Sequence, residues 1–124
     1  MDPRLIARAI GAGRIAVGLG LVAAPRLARA WIGPAAERED VGVALRAFGV
    51  RDLVLGGLAM HTASKPQVAA RMAAAGIAID TVDLAATVAA RRSVPTTGVA
   101  LVGLMAGGAI AGQAMACRAL RDTG

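Results

Sequence analysis

Apolar positions run along this chain in four long stretches, separated by short breaks that are polar or contain proline. The pattern predicts helices over residues 4–24, 41–61, 67–91 and 95–118, with breaks at Pro25, Gly33-Pro34, residues 61–66 and Ser93-Val94-Pro95. In the first three stretches polar residues recur on one face. Gly11, Arg14 and Gly18 fall at i, i+3 and i+7, and Gly49, Asp52 and Gly56 repeat that spacing. Each of these two helices therefore sets a charge between two glycines, on a side where another backbone can come close. In the third helix Gly76, Asp80, Asp83 and Thr87 share a face.

The fourth stretch is different. Residues 94–117 hold no charged side chain, and at about 1.5 Å per residue they are long enough to cross the roughly 30 Å hydrocarbon core of a bilayer. Gly103 and Gly107 form one GxxxG pair and Gly108 and Gly112 another on a neighbouring face, so this helix is expected to pack on two partners. Gln113 is expected to add a hydrogen bond between helices. Between the first and second helices, Leu27, Ala30 and Trp31 lie on one side of a short amphipathic segment. It is expected to rest at the membrane interface with Trp31 at headgroup level. The alternative is a loop whose Trp31 packs on the bundle. Glu37, Glu39 and Asp40 follow, where the start of the second helix favours acidic groups.

Composition supports a membrane setting. Hydrophobic residues make up 56% of the 124 positions, well above soluble averages. With one Trp, one Phe, no Tyr and 16 Gly, the helices are expected to pack by backbone approach. The single cysteine excludes an internal disulfide and multi-cysteine metal sites. A formal charge of +6 would suggest nucleic acid, but the arginines flank the apolar stretches and no basic cluster interleaves with aromatics. Residues 1–24 imitate a signal peptide until Arg14 interrupts the run, so a retained helix is expected. A water-soluble bundle is the competing fold, but it would need a charged outer face on the fourth helix.

The chemistry sits at depth. Three arginines, Arg14, Arg46 and Arg51, and three aspartates, Asp52, Asp80 and Asp83, lie within the predicted spans. Charge at that depth is costly unless paired, so a neutral network of all six is expected, with Arg46 level with Asp83. One reading makes the network a lock on helix register. The other makes it the lining of a cavity for a proton, an ion or an anionic headgroup. Asp80-x-x-Asp83 could also share a divalent cation; it resembles part of the signature of CDP-alcohol phosphotransferases, whose further aspartates this chain lacks. No catalytic set, P-loop, dinucleotide fingerprint or His-rich pattern is present. Neither a cofactor nor a metal is expected, and His61 at a helix end is read as solvated.

Arg46-x-x-Gly49-x-Arg51-Asp52-x-x-x-Gly56 followed by Asp80-x-x-Asp83 resembles the pattern of small four-helix membrane proteins of actinobacteria, grouped as families of unknown function. The resemblance includes Pro25, Trp31 and Gly33 and implies a multi-pass plasma-membrane protein. The resulting expectation is a single all-α domain over residues 1–124, a four-helix transmembrane bundle with a short interfacial segment. A slight Lys/Arg excess on the side of the termini places these in the cytoplasm. The expected role is that of an accessory, interaction or structural membrane component. Its expected partners are lipid and a second copy, or another membrane protein, met through the glycine faces of the fourth helix. A small transporter or ion-conducting protein is the alternative: it needs an open route to Asp52 or Asp80, whereas a register lock is sealed.

Overall fold

The computed structural model describes residues 2–122, and among them the chain is helical with no strand. Four long helices carry the fold: α1 (Pro3–Ala23), α3 (Glu39–Thr62), α4 (Pro66–Ala89) and α5 (Thr96–Asp122). The connector contains a fifth, α2 (Arg29–Ile32), between a 3-10 turn at Pro25–Ala28 and another at Gly33–Glu37.

Local chemistry explains the boundaries. Asp2 caps α1 by accepting the Arg4 backbone N–H at 2.9 Å, with Pro3 in the first turn, where its missing N–H costs nothing. Glu39 and Asp40 occupy the first turn of α3, and Arg38 donates two hydrogen bonds to Asp40, holding that carboxyl below its usual range. Pro66 opens α4 in the same way as Pro3 opens α1. Gly33 takes a φ of 78°, a left-handed backbone that glycine accepts without strain, and so lets the connector reverse.

Three of these helices, α1, α4 and α5, are long and apolar enough to cross a membrane, consistent with a membrane protein. Helix α3 has the length, at 24 residues, but Arg46, Arg51 and Asp52 interrupt its apolar run. Large apolar side chains face outward, among them Val43, Val82, Leu104 and Met115. Lipid would satisfy that surface and water would not.

The helices pack as two pairs, α1 on α3 and α4 on α5. The α1/α3 seam is antiparallel and built on glycines. A Cβ placed on Gly18 would lie 2.5 Å from the Gly49 carbonyl oxygen, and one on Gly56 would lie 2.5 Å from the Gly11 carbonyl oxygen. Only hydrogen fits at either crossing. Along the α4/α5 seam, Gly76 lies against the Gln113 side chain, while Ala69, Ala73, Ala116, Cys117 and Leu120 form a compact apolar cluster. A second cluster, Leu21, Ala28, Ala36 and Leu45 with Trp31 and Phe48 against it, fills the connector end. The interior thus has an apolar layer at each end and a polar layer between.

The connector does not present Trp31 outward as an interfacial anchor. Its indole N–H donates to Thr87 Oγ1 at 3.1 Å and its ring packs on Phe48 at 5.2 Å between centroids. Thr87 already donates to the Asp83 carbonyl, so its oxygen is free to receive the indole proton, which would otherwise be half-buried without a partner. The Trp31 carbonyl presses against Gly98 at the start of α5, where no Cβ would fit. The connector thereby closes one end of the bundle.

The glycines of α5 also depart from expectation. Among the described residues, a Cβ added at Gly103, Gly107 or Gly108 would meet nothing within 4 Å, and one at Gly112 would meet Ile10 and Ile6 of α1 at 3.4 and 3.6 Å. The packing face of α5 is Ala106, Gln113, Ala116, Cys117 and Leu120. One buried amide outweighs two GxxxG motifs, because Gln113 must find a polar partner and so turns its own face inward.

Candidate functional site: a charged layer beneath a lateral cleft

The polar layer is centred on Arg14. Its position between Gly11 and Gly18 brings the guanidinium to the α1/α3 seam, where Nη1 stands 3.6 Å from Asp52 Oδ1. Nη2 reaches across to α4 and donates to Asp80 Oδ2 at 2.7 Å. The Gln113 amide of α5 donates to the same oxygen at 2.8 Å and to its own Ala109 carbonyl at 3.0 Å. Arg14 and Asp80 together therefore join groups from all four long helices. A second centre lies beside it: Arg51 forms a two-pronged pair with Asp83, at 2.7 and 3.3 Å, and its guanidinium carbon lies 3.9 Å over the Phe48 ring.

The two centres share Asp52, which is 5% exposed. Arg51 Nη2 stands 3.6 Å from the same Oδ1 that faces Arg14, and that oxygen accepts no hydrogen bond. Buried Arg51 Nε also lacks an acceptor. Asp80 and Asp83 are thus held by close charge-assisted bonds. Asp52 is held only by the field of two cations.

Arg46 does not join them. On a helix turning about 100° per residue, Arg51 and Arg46 lie on opposite flanks of Asp52, and Asp83 occupies the Arg51 flank. Arg46 is exposed, and its Nε donates to the Val22 carbonyl at 3.2 Å. That carbonyl belongs to the last turn of α1, where no amide of its own helix is available. Without Arg46 the balance changes, since two arginines now face three aspartates. With all five groups ionised, the layer carries one negative charge in excess.

Beside this layer is a half-open cleft of about 630 Å³. One wall is α1, at Ile10, Gly13 and Val17, and the other is α5, at Leu101, Met105 and Ala109. Ile10 and Ala109 line it toward one end, and Leu27, Ala28 and Trp31 toward the other. Arg14, Asp52, Asp80 and Asp83 form its inner wall. Periodicity identified the helix faces, but the cleft depends on how far α5 stands from α1, a relation between helices on which local spacing is silent.

The aspartates of the Asp80-x-x-Asp83 pair do not face one common point. Asp80 and Asp83 turn to different arginines, and no group of three or more His, Cys, Asp or Glu suited to a metal occurs among the described residues. No known protein family, curated protein or solved structure matches the chain. The reading of the site rests on its geometry.

Proposed function

We propose that this chain is a small multi-pass membrane protein, with α1, α3, α4 and α5 as spans, that holds a small hydrophobic molecule in the cleft between α1 and α5. The observation that supports this reading is that the charged layer is not sealed: Arg14, Asp52, Asp80 and Asp83 all line the cleft. Its volume lies in the range of ligand pockets, and mostly apolar walls with a few convergent polar groups are their usual make-up. The network then has two roles. It fastens the α1/α3 pair to the α4/α5 pair, and it gives the cleft a polar side.

The competing role is that of an accessory or structural component whose network is architectural alone. The half-buried glycines Gly103 and Gly107, where an added Cβ would meet nothing within 4 Å among the described residues, are the face that self-association would use in either case. A bacterial plasma-membrane location with cytoplasmic termini accompanies the proposal, as does kinship with the small actinobacterial membrane proteins whose pattern the chain resembles.

Trp31 is the only tryptophan and lines the cleft, so its fluorescence reports on occupancy. In non-ionic detergent, neutral 1-bromonaphthalene should quench it saturably. The quenching should weaken at least about tenfold in Gly13→Leu, whose new side chain fills the cleft from a position with nothing within 4 Å. Linear quenching, equal in both proteins, would return the network to a purely architectural role.

A further inference from the structure

Resting on that reading, we infer that the molecule held in the cleft is a lipophilic monocation, an apolar body of a few hundred Å³ bearing one delocalised or quaternary positive charge. Three observations lead there. The charged groups along the inner wall and immediately behind it are Arg14, Arg51, Asp52, Asp80 and Asp83, and when all are ionised they sum to one negative charge. In a region of low dielectric such an excess calls for a counter-charge. Asp52 is the carboxylate that carries it, because Asp80 and Asp83 each have an arginine at 2.7 Å while Asp52 Oδ1 accepts no hydrogen bond. Finally, the remaining walls are apolar and include the aromatic ring of Trp31, which suits a cation with an apolar surface.

The chemistry excludes other occupants. An anionic headgroup would add a second uncompensated negative charge beside Asp52. A small hydrated metal ion would have to shed its water against Ile10, Val17, Leu101 and Met105, which offer it no oxygen. A neutral hydrophobe would fill the walls and leave the charge excess as it stands.

The test uses three probes of similar shape on the whole chain in non-ionic detergent, read by the saturable change in Trp31 fluorescence: tetraphenylphosphonium, neutral triphenylphosphine oxide and anionic tetraphenylborate. The expected order is the cation tightest, at least about tenfold over the neutral probe, which corresponds to about 1.4 kcal/mol, and the anion weakest. In Asp52→Asn, which balances the layer at two charges of each sign, the ratio of cation to neutral-probe affinity should fall to about one. Equal saturable binding of cation and neutral probe in the wild type overturns this inference and leaves the cleft reading intact. No saturable signal from any probe, including bromonaphthalene, removes both. A cation preference that persists in Asp52→Asn overturns the assignment to Asp52. Should that variant fail to fold, the order of the three probes on the wild type decides.

Discussion

Helix α1 has two long neighbours, and it meets them in opposite ways. Toward α3 it presents Gly11 and Gly18, and the backbones approach until only hydrogen fits between them. Toward α5 it presents Gly13 and Gly20, yet Gly13 meets nothing within 4 Å and a cleft of about 630 Å³ opens alongside. Glycine content is the same on both sides. The difference is that the α3 side has a charge between its glycines, Arg14 facing Asp52, and α3 answers with glycines in matching register. Small residues permit close approach, but a second interaction has to select which small residues are used.

The comparison is broken most directly at Arg14, which belongs to both sides. Arg14→Gln should destabilise the protein by about 3 to 5 kcal/mol, because it strands Asp52 and Asp80 and leaves a single arginine against three aspartates. Thermal unfolding in detergent measures it, and a loss below about 1 kcal/mol would mean that the layer is solvated rather than buried. Next in size is Gly18→Val, which forces a branched side chain onto the Gly49 carbonyl and the Leu53 amide. Overpacking of this kind costs typically about 1 to 3 kcal/mol. The same change at Gly13 should be tolerated, and the pair of variants measures the asymmetry of α1.

The aspartates sharpen the contrast within the charged layer. Asp80→Asn should cost more than Asp52→Asn, since it replaces the carboxylate oxygen that receives both Arg14 and Gln113, whereas Asp52 makes no hydrogen bond through Oδ1. A difference of about 1 to 3 kcal/mol is expected from the loss of charge-assisted hydrogen bonds. Equal midpoints for the two variants would show that Asp52 is as firmly held as Asp80. The smallest effect is expected at Gly107→Ala on α5, where the new Cβ would meet nothing within 4 Å among the described residues. The alanine should leave stability unchanged or raise it by up to about 1 kcal/mol through helix propensity; a drop in stability together with a change in oligomeric mass would locate a second copy on that face.

Much of this layout could be read before any coordinates. The repeats Gly11-Arg14-Gly18 and Gly49-Asp52-Gly56 are local, and a helix of 3.6 residues per turn fixes which side chains share a face. The stripe Gly76-Asp80-Asp83-Thr87 was legible for the same reason. Arg46 was not, because the sense in which α3 rotates toward α4 decides which flank of Asp52 meets a carboxylate, and periodicity carries no such sign. The direction of Trp31 likewise depended on Thr87 being available on a helix more than fifty residues away. Gln113 could be picked out as a polar residue in an apolar helix, but nothing in its neighbours showed that it would complete the Arg14 centre rather than serve a separate contact.

The facing Gly-Arg-Gly and Gly-Asp-Gly segments also constrain how the molecule can move. Sliding α1 along α3 by one helical turn, about 5.4 Å, would set Arg14 and Asp52 out of register and drive side chains into the backbone crossings at Gly18 and Gly56. The seam therefore resists shear between these two helices. Any widening of the cleft has to part α5 from α1 instead, against the junctions that Arg14 and Arg51 make to α4.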